Sequence, residues 1–132
     1  MSDRYTYLDT SAVAKLVMVE PESGALDNFL RNRPLQAAAA LLRTEVLRAA
    51  MRVSQAHVAQ ARRLLASLAF VEVDRSLLDH AGTLMPPEMR SLDAIHVAAA
   101  LALGDDLGEF VTYDRRMQAA AQQWGLVVVS PA

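Results

Sequence analysis

The sequence predicts an α/β fold built on a mainly parallel sheet. Three observations point there. Short strand-like runs alternate with longer helical ones along the 132 residues, aspartates follow two of those runs, and glycine or proline marks most junctions. The length fits one domain, expected to span residues 1–132.

In chain order, residues 5–8 read as a strand ending at Asp9, and 11–19 (SAVAKLVMV) as a helix. Residues 21–24 are a break, 25–31 a second helix, and Pro34 ends it. Residues 35–40 predict a short strand, although alanine is a poor strand former. Helices follow over 42–53 and 56–68, a strand over 70–73, and a helix over 77–84 that Pro86 and Pro87 stop. The clearest helix is 92–103. There Leu92, Ile95, Ala99 and Leu103 recur at spacings of three and four, which predicts one buried stripe. Gly104 is its expected C-cap. A strand at 110–112, a helix at 115–124, a stop at Gly125 and a last strand at 126–129 complete the chain.

Hydrophobic residues make up 53% of the chain, ample for a core. The excess predicts apolar surface meant for a partner. The first two helices, with Leu16, Val17, Met18, Leu26, Phe29 and Leu30, are the expected groove for an amphipathic helix; packing on the sheet is the alternative. The longest apolar run, 97–103, has seven residues, far short of the ~20 that a membrane span needs. Charge near the start argues against an export signal. The absence of cysteine excludes disulfides and thiolate metal sites. A cytoplasmic location is expected. Formal net charge is −2, no signature of nucleic-acid binding. The bases are twelve arginines and one lysine, and arginine is the better phosphate fork.

The candidate chemistry lies in four acids set in apolar sequence: Asp9 (YLDTSA), Glu45 (LRTEVL), Asp93 (SLDAIH) and Asp114 (VTYDRR). Asp9 and Asp114 each follow a strand. If those strands are neighbours in a parallel sheet, both carboxylates emerge at the edge where ligands bind. A half-buried acid is costly unless something compensates it, and one divalent cation would compensate all four. An all-oxygen donor set suits magnesium or manganese rather than zinc. Such ions serve phosphodiester hydrolysis by lowering the pKa of a bound water and stabilising the leaving oxygen.

Each acid also has a plainer reading. Asp9 and Asp114 are suitable helix caps. Asp93 suits a helix's first turn with Ser91 as cap, and Glu45 can pair with Arg48. Thr10 and Ser11 are candidates to hold Asp9, with starting the helix as the alternative, and Thr112 to orient Asp114 or a metal-bound water, with an ordinary strand threonine as the alternative. Lys15, Arg115 and Arg116 are candidate RNA contacts, with solvated charge as the alternative. His96 is expected as a structural hydrogen-bonder, and Tyr113 as a possible stacking surface.

Together the segments YLDTSAVAKL, RTEVLRA, SLDAIHVAAAL and FVTYDRRM resemble the PIN domain, in particular the VapC-type toxins of prokaryotic toxin–antitoxin pairs. SLDAIHVAAAL is the most specific match. The resemblance covers essentially the whole chain. It implies a three-layer α/β/α fold and Mg²⁺- or Mn²⁺-dependent endoribonuclease activity on single-stranded RNA. Metal-site roles fall on Asp9, Glu45, Asp93 and Asp114, with Ser11 and Thr112 in support. It also implies a homodimer and a cognate antitoxin lying across the active-site groove. The sequence departs from the pattern at LQAAAALL, where a β-branched strand with a hydroxyl residue is usual.

Rival chemistries lack their residues. An aspartyl-nucleophile phosphatase needs an acid at position 11, where Ser11 stands. A receiver domain's acidic pair, a P-loop and a dinucleotide-binding glycine fingerprint are absent. The remaining alternative is a non-catalytic PIN-like module that binds RNA or protein without cutting.

Overall fold

The structure is a computed structural model that describes residues 3–132, so the first two residues of the expected domain lie outside the described ones. Twelve main elements follow the predicted alternation: β1 (Tyr5–Leu8), α1 (Thr10–Val17), α2 (Ser23–Leu30), β2 (Gln36–Ala39), α3 (Leu42–Met51), α4 (Gln55–Leu65), β3 (Ala69–Val71), α5 (Arg75–Gly82), α6 (Ser91–Ala102), β4 (Leu107–Val111), α7 (Arg115–Gln123) and β5 (Val127–Val129). Gly104 and Gly125 take left-handed φ values of 55° and 74° just beyond α6 and α7, as helix-ending glycines do.

The five strands form one sheet in the order β3-β2-β1-β4-β5, and every pairing is parallel. Side chains alternate across it. Leu8, Ala38 and Val111 point into a core shared with Val13, Leu26, Leu42 and Val46 of α1, α2 and α3. Tyr7, Ala39 and Phe110 point into a second core with Leu77 of α5, Val97 of α6 and Met117 of α7. The result is the expected three-layer α/β/α sandwich. Helices on both faces explain why the strands read as unbroken apolar runs. Among the described residues, no helix is long and apolar enough to cross a membrane.

The alanine-rich run does form a strand. Ala37, Ala38 and Ala39 are almost fully buried between β1 and β3. Their small side chains let both helical layers approach the sheet, so packing overrides the weak strand propensity of alanine. Helix α6 makes the same use of Ala98, Ala99 and Ala100, all 0% exposed.

Two expectations are corrected here. Leu92 is 52% exposed and belongs to no buried stripe. Burial on α6 instead runs through Ala94 and the continuous stretch 96–100, because the sheet, α5 and α7 pack around it. The expected groove on α1 and α2 is closed for half of its residues, where packing, the alternative reading, holds. Val17, Leu26 and Leu30 are core residues, and Leu16, Met18 and Phe29 pack against them. The large apolar side chains that do reach solvent include Val19, Met51, Val53, Met85 and Leu92.

The alanine packing has a direct test. Ala39→Leu should lower unfolding free energy by about 1–3 kcal/mol, the usual cost of overpacking a filled core. Denaturant titration with the slope unchanged would read it, and a midpoint equal to wild type would show that the layer has slack.

Candidate active site

In this architecture the helices run back against the strands, so helix N-termini gather beyond the carboxyl ends of the sheet. All four acids stand at such helix starts. Asp9 is the N-cap of α1 and Asp114 that of α7, while Glu45 and Asp93 lie in the first turns of α3 and α6. The positive end of each helix dipole favours a carboxylate there. Strands β1 and β4 are neighbours, the condition under which Asp9 and Asp114 emerge at one edge.

Asp9 is the most constrained of the four, at 2% exposure. One carboxylate oxygen accepts hydrogen bonds from Ser11 Oγ at 2.6 Å and the Ala12 amide at 3.0 Å. The other accepts from Thr112 Oγ1. Each hydroxyl is also an acceptor. Ser11 Oγ receives the Tyr113 amide at 2.9 Å, and Thr112 Oγ1 receives the Asp114 amide at 3.1 Å. The loop after β1 is thereby fastened to the loop after β4. Burial raises the Asp9 pKa, and the hydrogen bonds from Ser11 and Thr112 offset this only in part.

Glu45 is held differently. It accepts from Thr10 Oγ1 at 2.7 Å and faces His96 Nε2 at 3.3 Å. A carboxylate only accepts, so the Nε2 nitrogen carries the proton. In the neutral ring, Nδ1 then accepts from the Tyr7 hydroxyl, 2.8 Å away. Burial pushes the Glu45 carboxyl up, but His96 and Thr10 outweigh it and its pKa is lowered. The expected pairing with Arg48 is replaced by this internal one. His96 is the buried structural hydrogen-bonder that the sequence predicts.

Asp93 is half-buried, with its pKa raised by desolvation and next by the charge of Asp114; His96, Arg116 and Arg90 act in the opposite sense. Ser91 does not cap α6. Arg90 occupies the N-cap position with no side-chain cap bond. Asp114 accepts the amides of Arg116 and Met117, so its capping role is real.

The acids form one electrostatic neighbourhood. His96 acts on Asp9, Glu45 and Asp93, and Asp114 acts on Asp93. They do not form a closed cage: among the described residues, no three histidine or acidic groups are grouped to hold a metal ion. The donor set nonetheless fits a hard cation. It is all oxygen, two of its members carry raised pKa values, and the half-buried Asp93 and exposed Asp114 keep side-chain freedom. Arg115 and Arg116 are exposed at the start of α7. Lys15 is not a free cation. It bridges Glu20 at 3.0 Å and Glu22 at 3.2 Å and lies over the Tyr113 ring. Of the two hydroxyls expected on Asp9, Ser11 is there, whereas Thr10 donates to Glu45; Tyr7 escaped sequence reasoning.

The raised Asp9 pKa fixes the sign of a pH effect. The folded protein binds this proton more tightly than the unfolded chain, so ionising Asp9 costs folding free energy once pH exceeds the ordinary aspartate value of 3.8. Metal-free Asp9→Asn should therefore melt at or above the wild-type temperature at neutral pH. The difference should shrink as pH falls through the carboxylate range. Calorimetry across pH 3–8, roughly the window set by ordinary carboxyl pKa values, reads it. A variant less stable at neutral pH and unchanged at low pH would reverse the sign.

The sequence pattern of the PIN domain matches residues 6–123. The chain is 48% identical over 126 residues to ribonuclease VapC46 of Mycobacterium tuberculosis, covering 96% of this chain and 97% of that protein. Among solved structures, M. tuberculosis VapC20, a sarcin–ricin loop cleaving toxin, superposes with a TM-score of 0.73 at 22% identity, covering 96% and 99% of the two chains. A toxin–antitoxin complex from Klebsiella pneumoniae gives 0.74 at 19% identity, covering 96% and 98%. At such identities the structures speak for the fold alone. The sequence matches and the fold agree, and the chain belongs to the PIN domain family.

Proposed function

We propose that this chain, as one PIN domain over residues 1–132, is a magnesium-dependent endoribonuclease and the toxin of a toxin–antitoxin pair. Manganese is expected to substitute. The observation that carries this reading is a desolvated aspartate, Asp9, whose two carboxylate oxygens are held by three donors, beside further carboxylates at the carboxyl edge of the sheet. Similarity to a protein named ribonuclease VapC46 supports the substrate class.

Asp9, Asp93, Asp114 and Glu45 are the residues that would hold the ion. When bound, magnesium supplies a water of lowered pKa and neutralises charge on the phosphate. The chain's own residues prepare the rest. Ser11 and Thr112 fix both oxygens of Asp9, so little side-chain entropy remains to be lost on binding. Glu45, with its lowered pKa, stays ionised and able to accept a proton, and His96 and Thr10 hold it in place. Arg115 and Arg116 hold backbone phosphates of the RNA. The paired Lys15 is the weaker candidate for that contact.

The expected partners are an RNA substrate, a cognate antitoxin and a second copy of the chain, in the cytoplasm. The Klebsiella neighbour, a toxin–antitoxin complex, supports the antitoxin. One observation favours a non-catalytic binding module instead: no three acids are grouped to hold a metal among the described residues. The energetic cost of a charged, buried Asp9 speaks against it, since a module without metal has no use for that cost.

Cleavage of an RNA pool should require Mg²⁺ or Mn²⁺ and stop with EDTA. Asp9→Asn and Asp93→Asn should abolish it with the fold retained. A pool left intact by the metal-loaded protein would establish the binding module. Thr112→Val should lower activity about 10–100-fold, the usual cost of losing a group that orients a metal ligand. Activity equal to wild type would remove Thr112 from the site.

A further inference from the structure

A cavity of about 220 Å³ opens beside Asp93, between the 86–90 segment and one face of α7. We propose that it is a nucleobase subsite, taking the base of a nucleotide adjacent to the scissile phosphate. The proposal rests on the ribonuclease reading and adds to it where the substrate is gripped.

Three features carry it. First, Asp93 lines the cavity, so an occupant lies against a residue of the proposed metal site. Second, two guanidiniums line it, Arg90 before α6 and Arg116 in the first turn of α7. Both act on the Asp93 charge. Neither makes a side-chain hydrogen bond or ion pair among the described residues, whereas Lys15 and Arg33 are matched by carboxylates. Two unmatched arginine forks at one opening are complementary to phosphate. Third, the walls suit a flat ring. Pro86, Met89, Ala119 and Ala120 offer apolar surface, to which α7 contributes only the two alanine methyls, and thioether sulfur packs well on aromatic systems. Gln123 and Glu88 supply polar groups that can meet a base edge.

Size separates a nucleotide from larger occupants. The cavity is below the ~300–1,000 Å³ of pockets for drug-sized ligands, which leaves room for one base. Two phosphate forks beside a small apolar slot match the phosphate and base of one nucleotide. A peptide side chain would use the slot but not both forks.

The test begins without catalysis. In magnesium-free buffer, the four ribonucleoside 5′-monophosphates are titrated while the Met89, Ala119 and Ala120 methyl signals are followed by NMR, with inorganic phosphate as control. Nucleotides should shift all three to saturation, and phosphate should not. Equal responses to nucleotide and phosphate, or no response, would overturn the subsite. Ala119 is exposed on its helix, so Ala119→Leu should fold and fill the slot. It should abolish the nucleotide shifts, raise KM for RNA about tenfold, equivalent to 1.4 kcal/mol, and flatten base preference next to the cut. Arg90→Gln with Arg116→Gln should reduce the salt dependence of RNA binding by about one unit of slope per lost contact.

The two readings fail separately. Saturable nucleotide shifts in a protein that cuts no RNA would leave the subsite and remove the nuclease. Cleavage that depends on Asp93 but shows wild-type KM and base preference in Ala119→Leu would leave the nuclease and remove the subsite. Loss of binding to a protein partner alone in Ala119→Leu would make the slot a protein contact and also refute the proposal.

Discussion

The arrangement at the edge of the sheet depends on the cost of keeping the Asp9 carboxylate out of water. A buried ion loses several kcal/mol of hydration. Three donors return part of it, each hydrogen bond to a charged group being worth about 1.5–3 kcal/mol. The raised pKa says that desolvation still wins. This balance explains why Ser11 and Thr112 both serve one side chain, while Ser11 also receives the Tyr113 amide of the opposite loop and Thr112 the Asp114 amide of its own. A hydroxyl that both donates and accepts is locked in direction. The clasp works only because β1 and β4 lie side by side, so the strand order and the charge depend on one another.

Much of this was legible because local chemistry and global fold agree. Short apolar runs and the spacing of three and four name most elements, and Gly104 and Gly125 end the helices that their sequence contexts predict. Asp9 and Asp114 were readable because an acid after a strand in an α/β chain lands where the helix N-termini gather. The misreadings share a cause, which is that spacing along one element says nothing about what packs around it. Leu92 has the right spacing for a buried stripe, yet α6 is enclosed from several sides and its buried residues are alanines. Val17, Leu26 and Leu30 resemble groove lining until α3 and α4 close over the same core. Tyr7 gave no signal, since an inward tyrosine on a strand is ordinary until a histidine from α6 meets its hydroxyl.

Small side chains set the scale of the site. Ala39 on β2 and Ala98, Ala99 and Ala100 on α6 share one core and bring that helix close to the sheet. His96 sits in the same stretch of α6 and spans from Tyr7 on β1 to Glu45 on α3. One of the alanines that made β2 hard to read therefore belongs to the geometry that lets an imidazole join two layers. A bulkier core would hold α6 away from the sheet, and His96 would no longer reach Tyr7 and Glu45 together.

The opposite pKa directions of the acids divide their labour. Glu45 is already compensated by Thr10 and His96, and its pKa is lowered. A cation gains little there by relieving repulsion. Asp9 and Asp93 are raised, the first by burial and the second by burial and by Asp114. Strain in the metal-free protein is thus concentrated on those two, and a cation relieves most where the protein has compensated least. The two acids that folding alone compensates least are therefore the ones that the proposed ion would stabilise most.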